Sequence, residues 1–379
     1  MKILIDNPIT GTYIFIAIFV FAILLSLRKK KSEGFFPISI TNELKGVAIL
    51  TVIFGHIGYF LVSDNRFLFP LSTISGVGVD LFLFLSGYGL VVSAIKKSRS
   101  VAKFYKDRLL KLLIPFWLIL STFFLLDFFV LSKGYSISYI MSSFLGFFPT
   151  ADMYSDINSP LWYFTLILFY YFIFPLVFIK KRPWVSAILI YVISFLALNI
   201  SFIGGVRYFY EIHSWAFPIG VLFGGLICSE SGLILKKLAT DTIAKINFHR
   251  WSKVFKSIAS YLLIVIFGLV IVYGFYHSGA GKSININQLI SIIVTLSFVG
   301  VFLLKKNEIK LFSLLGIYSY EIYLLHWPIL YRYDVFFKFL PNWLAVSLYL
   351  ILFIALGWLL KKVSERMSRV FLKEKNKIN

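Results

Sequence analysis

The chain has 379 residues, of which 59% are hydrophobic and 19% aromatic, and its mean hydropathy is +0.86. A chain this apolar cannot cover itself with polar surface in water, so a soluble fold is excluded. The formal net charge is +21, from 38 Lys and Arg against 17 Asp and Glu. No basic face interleaved with stacking aromatics on a soluble module accompanies that charge, so nucleic acid is excluded as a partner.

Eleven apolar runs follow one another at roughly 9–27, 44–63, 74–95, 109–132, 161–179, 184–203, 212–229, 257–276, 286–304, 311–334 and 342–360. Each is long enough to cross about 30 Å of hydrocarbon as a helix. The pattern therefore predicts an all-α, polytopic membrane protein of about 11 transmembrane helices. The gaps between runs are alternately rich and poor in Lys and Arg. The rich ones are Arg28 to Lys31, Lys96 to Lys111, Lys180 to Arg182, Lys236 to Lys256, Lys305 to Lys310 and the tail from Lys361; with Lys45 they hold 31 of the 38 basic residues. The positive-inside rule places these in the cytoplasm. Lys2, Arg66, Lys133, Arg207, Lys282, Arg332 and Lys338 are then outside, which gives an N-out/C-in chain.

The basic cluster Arg28 to Lys31 follows the first apolar run instead of preceding it, so that run reads as a retained anchor and not as a secretory signal. The stretch Ile137–Phe148 is too short to span and is expected to be re-entrant or interfacial. Cys228 is the single cysteine, which precludes a disulfide framework, and no His/carboxylate cluster has metal-ligand spacing. No metal is expected.

Ionisable groups inside a span are costly and tend to face a cavity or each other. Lys45 and His56 are eleven positions apart, which is three turns, so they share one helix face about 16 Å apart along the axis. Such a stripe can hold an anionic donor at the surface with a base deeper in; a snorkelling lysine and a structural histidine are the plainer alternative. Arg108 and Lys111 share a face at the start of the fourth run and form a second basic pair, although positive-inside topology alone also puts bases there. Asp80 lies about one turn into the third run. Because the second and third runs are joined by a short outer loop, Asp80 is expected near His56, where it would orient the imidazole, or else to cap its helix. Glu321 is placed near mid-membrane and His326 in the outer half, the latter with a structural hydrogen bond as the alternative.

These strings together resemble the membrane-bound acyltransferase 3 family. Lys45 and His56 match an Arg-x10-His motif with lysine in place of arginine. Gly78 to Gly87 resembles Gly-Val-Asp-x-Phe-Phe-x-x-Ser-Gly, Arg108 and Lys111 match Arg-x-x-Arg, and Tyr320 to Pro328 resembles Tyr-x-x-Tyr-Leu-x-His-x-Pro. Leu161 to Phe164 and Phe217 to Gly220 fall where similar family segments do. The resemblance covers about 40–365. It implies an extra N-terminal helix with its basic loop over 1–35, a ten-helix acyltransferase core over 36–365 and a basic cytoplasmic tail over 366–379. Lysine at two motif positions offers phosphate a point charge where arginine offers a fork.

The activity implied is O-acetyltransferase-like. An acyl group, most simply acetyl, passes from cytoplasmic acyl-CoA to a hydroxyl of an extracytoplasmic carbohydrate or glycolipid in a bacterial cytoplasmic membrane. In that reading His56 is general base and Asp80 orients it, while Lys45, Arg108 and Lys111 hold the donor's phosphates. Trp162, Tyr163, Glu321 and His326 line the acceptor side. Membrane lipid is the surrounding partner, and a homo-oligomer or an envelope-biosynthesis partner is left open. The rival readings are a polysaccharide or small-molecule exporter, which the absence of an inverted repeat and of paired broken helices argues against, and a membrane scaffold or sensor without chemistry.

Overall fold

The computed structural model describes residues 2–30, 35–97, 100–199, 205–228, 251–278 and 283–373, with backbone alone at 251–256 and 370–373. Lys31, Arg99, Lys236 to Arg250, Lys282 and the end of the basic tail, all used above to assign sides, lie outside these residues.

Nearly every described segment is helical, as apolar surroundings require, since a helix satisfies its backbone polar groups internally. In chain order the elements are α1 (Pro8–Leu25), β1 (Leu27–Lys29), α2 (Ile38–Gly55), α3 (Ser75–Lys96), α4 (Val101–Leu131), α5 (Ile137–Phe144), α6 (Trp162–Val177), α7 (Pro183–Ala197), α8 (Arg207–Ile212), α9 (Ala216–Cys228), α10 (Trp251–His277), α11 (Ile284–Leu304), β2 (Asn307–Ile309), α12 (Lys310–Ile317), α13 (Ser319–Tyr331) and α14 (Asn342–Lys373). Among the described residues nine helical segments are long and apolar enough to cross a membrane. The other two expected spans take different forms. One is the 15-residue α7, and the other is broken at Tyr318 into α12 and α13. Helix α5 occupies the stretch too short to span.

Two further departures from the sequence reading affect the site. The run at 212–229 is broken at His213–Trp215, between α8 and α9, which adds a second interruption to the one at Tyr318. An all-α chain is also not quite what forms, because β1 and β2 pair antiparallel, Leu27 opposite Ile309.

That ribbon and its counterparts sort the loops by side. Lys310 N donates to Ser26 O at 3.0 Å beside the ribbon, joining two Lys-rich segments. At the opposite end Ile3 bridges Val62, and Leu68 N donates to Thr12 Oγ1 at 2.8 Å, joining two Lys-poor segments. Segments of equal charge character therefore share a face. Large apolar side chains such as Phe128, Phe129, Leu262, Leu269 and Ile351 point outward, as they do on a surface in contact with lipid.

The helices nearest the site pack through glycine. Helix α2 lies against α12 and α3 against α9 in the most extensive pairings of the fold. A methyl on Gly316 would overlap the carbonyl of Asn42, and one on Gly46 that of Phe312. Gly87 and Gly220 meet the carbonyls of Phe217 and Phe84 in the same way. Small residues at such crossings let backbones approach closely, which is the main route to helix association where no hydrophobic drive operates.

Prolines inside helices leave carbonyls to be satisfied from elsewhere. Pro328 in α13 has no N–H for the carbonyl of Leu324, which accepts instead from Asn158 Nδ2 at 2.9 Å. Three residues before Pro115, Leu112 O accepts from the Tyr320 hydroxyl at 2.6 Å. Three before Pro175, Phe172 O accepts from the Tyr105 hydroxyl at 2.7 Å. On the Lys-poor face, fully buried Asp127 near the end of α4 pairs with Arg332 and Tyr135 and accepts from the Tyr333 hydroxyl at 2.6 Å.

Candidate active site

Helix α2 ends at Gly55 and runs directly into a six-residue π-helix, His56–Leu61. Single π turns inside helices are frequent at functional sites, because the extra residue re-aims a side chain. Here the side chain is His56. Its Nδ1 lies 2.7 Å from Nε2 of His326, and the two rings stack with centroids 4.9 Å apart. His326, 0% exposed, places its own Nδ1 2.8 Å from the carbonyl of Tyr323 and 3.2 Å from that of Ile322.

These contacts assign the tautomers. Carbonyl oxygens only accept, so Nδ1 of His326 carries a proton and its Nε2, in the neutral ring, is a lone pair. That lone pair accepts from Nδ1–H of His56. The remaining nitrogen of His56, Nε2, is then free to take a proton. His326 therefore supports His56 from behind. The expectation that it lines the acceptor side is corrected, because its ring is sealed in the interior.

His56 is half-buried and faces a cavity of about 450 Å³ on the Lys-poor side of the fold. Trp162 and Tyr163 line that cavity, together with Ser72, Phe209, His213 and Asn287. Asp80, 1% exposed, does not reach His56. It is paired with His213 Nδ1 at 2.7 Å and with the hydroxyl of Ser291, which corrects its assignment as the group that orients His56. The two helices are neighbours, but Asp80 is turned toward the α8–α9 break and α11. Trp162 stacks in parallel with both His213 and Phe209, at centroid distances of 5.8 and 4.9 Å.

At the Lys-rich end, Lys45 is within electrostatic reach of Arg108, Glu321 and Lys361. His56 thus turns toward His326 of α13, while Lys45 lies among charges from α4, α13 and α14. Lys111 is exposed while Arg108 is half-buried, so the pair expected to share a pocket contributes only Arg108 to this cluster. Glu321 is buried with the bases, and its placement on the acceptor side is corrected as well. Lys361, the first residue of the basic segment of α14, is an addition the spacing did not reveal.

Tyrosines fill the space between cluster and cavity. Tyr163 and Tyr323 line the cavity with ring centroids 5.4 Å apart. Tyr320 stacks on Tyr323 at 6.5 Å. Tyr171 lies within electrostatic reach of both Tyr163 and Arg108. Tyr323, Tyr163, Tyr320 and Tyr171 thus form a column running from the cavity to the neighbourhood of Arg108.

With that arrangement in view, comparison with known proteins decides the family. The acyltransferase 3 family model, described as an acyltransferase domain, matches residues 42–362. The chain belongs to the acyltransferase 3 family. No curated protein and no solved structure matches it. The matched region of this acyltransferase begins inside α2 and ends inside α14, so it contains His56, His326, the cavity and the basic cluster, and leaves α1 outside it.

His213 is the residue that sequence reading passed over. It is one of five histidines, and its position beside Ser214 at the start of an apolar run was a visible signal. Its partner was not visible, since Asp80 is 133 positions away.

Proposed function

We propose that this membrane acyltransferase moves an acyl group, most simply acetyl, from acyl-CoA on the Lys-rich, cytoplasmic face to a hydroxyl of a carbohydrate or glycolipid on the other face of the cell membrane. The observation that carries this reading is His56, which lines a cavity on the Lys-poor side and whose Nε2 is left as a lone pair by His326.

In this reading Lys45, Arg108 and Lys361 hold the donor's phosphates, each as a charge-assisted partner. Glu321 offsets part of their mutual repulsion. The pantetheine arm follows the α2 stripe, and the tyrosine column parts to admit the thioester. The acceptor hydroxyl then lies against His56 Nε2, which takes its proton as the oxygen attacks the thioester carbonyl. The resulting imidazolium keeps its Nδ1–H bonded to His326. Collapse of the tetrahedral adduct breaks the C–S bond, and the proton passes from His56 to the departing thiolate, which restores the starting ring.

Discontinuous helices are also how transporters build binding sites. Family membership and the fixed tautomer of His56 favour chemistry over passage.

The test compares the wild-type chain with His56→Ala in native membranes, measuring acetyl-CoA consumption and acylation of extracted envelope glycans together. Loss of both supports His56 as base. Undiminished acylation in the variant removes it from that role.

A further inference from the structure

The cavity has a second imidazole, and its setting differs from that of His56. His213 sits at the break between α8 and α9, 5% exposed, with Nδ1 2.7 Å from Oδ1 of Asp80. A carboxylate accepts, so Nδ1 carries the proton and Nε2 is the lone pair of the neutral ring. The other oxygen of Asp80 takes the hydroxyl of Ser291 on α11, so both carboxylate oxygens are engaged by protein groups. Three elements, α3, α11 and the α8–α9 break, converge to hold this one ring. Trp162 stacks alongside it.

A tether between helices would need only to be buried and bonded. This ring instead lines the same cavity as His56, and no described residue is bonded to its Nε2. Gly76, also in the lining, leaves open the space beside Cε1 of His213, where even a methyl would come only to 3.6 Å. Placing a carboxylate deep in a span is costly, and here the cost yields a ring of fixed tautomer in the lining of the cavity.

Building on the acyltransferase reading above, we propose that His213 is an acceptor-binding residue. Its Nε2 accepts a hydrogen bond from a second hydroxyl of the acceptor, while the reacting hydroxyl lies at His56, and Asp80 is the positioning residue that fixes its tautomer. The site is therefore selective for polyhydroxylated acceptors over monohydric alcohols. A site built to bond a hydroxyl rejects an analogue that lacks it, because a buried polar group is then left unpaired.

The experiment uses the full-length protein in membranes with saturating acetyl-CoA and two probes that present a primary hydroxyl on a six-membered ring, methyl glucoside and cyclohexylmethanol. The wild type is expected to prefer the glucoside by about tenfold or more in kcat/KM, the value of one well-placed hydrogen bond. His213→Ala should remove the preference by raising the glucoside KM, with the donor KM and the kinetics of cyclohexylmethanol unchanged. His213→Gln, whose amide oxygen can accept, should restore part of it. Asp80→Asn should behave like His213→Ala, because an amide N–H at Nδ1 moves the ring proton to Nε2. An equal fall for both alcohols, or an unchanged preference, overturns the assignment while leaving the acyltransferase reading in place. A wild-type chain that acylates neither alcohol nor envelope glycan overturns both.

Discussion

What His56 can do is decided by His326. If His326 were only a packing residue, truncating it would cost stability and little else. Its role in fixing the proton on Nδ1 of His56 leads to a different outcome, in which His326→Ala lowers kcat by about 10²- to 10⁴-fold, the range that general-base catalysis contributes, while donor and acceptor KM move little. Initial-rate kinetics on membranes check this. At the other end of the stripe, Arg108→Ala should raise the donor concentration needed for half-maximal rate and leave the acceptor's unchanged, whereas Lys111→Ala should alter neither; the reverse ranking would move the donor site away from Lys45. At this scale the sequence made residue type and local spacing legible. Lys45 and His56 could be read as one stripe because three helical turns are rigid. The choice of partner was not legible. Asp80 turned from His56 to His213, and Glu321 joined the bases, because both outcomes depend on how helices far apart in sequence rotate against each other.

Elements were legible where length and hydrophobicity define them. The long runs at 74–95 and 286–304 are helices near those limits, because a hydrocarbon slab leaves an apolar run few other solutions, while the one expected at 44–63 begins earlier, at Ile38. The breaks at His213–Trp215 and Tyr318 were hidden, since neither interrupts the apolar character enough to alter a span-length reading. Both breaks border the site, the first carrying His213 and the second preceding the Glu321–His326 turn. Two substitutions test the packing that holds these elements. Asp127→Ala should strand Arg332 as an unpaired buried charge and cost about 3–5 kcal/mol, read as a lowered thermal unfolding midpoint in detergent with the same ligands present. Gly316→Ala should force α12 away from Asn42 of α2 and cost about 1–3 kcal/mol through overpacking, with activity falling in step because α2 carries Lys45 and runs directly into the π-helix that begins at His56. A stable and fully active Gly316→Ala protein would show that this crossing is looser than its geometry.

For the whole molecule, the alternation of charge predicts two classes of loop, and the pairing of β1 with β2 and of Ile3 with Val62 groups the loops in the same way. The single cysteine makes a clean background available. In a Cys228→Ser chain, a cysteine at Lys29 should be shielded from an impermeant thiol reagent in intact cells and one at Arg66 should be labelled. The reverse pattern would invert the molecule and place the basic cluster outside. The most direct test of transfer from donor to acceptor through His56 uses sealed vesicles with radiolabelled acetyl-CoA supplied only to the Lys-rich face and glycan acceptor enclosed on the other. Label should appear on the enclosed glycan with the wild-type chain and be absent with His56→Ala. Label that reaches the glycan equally with both chains, or that appears only when donor and acceptor share a face, would contradict it.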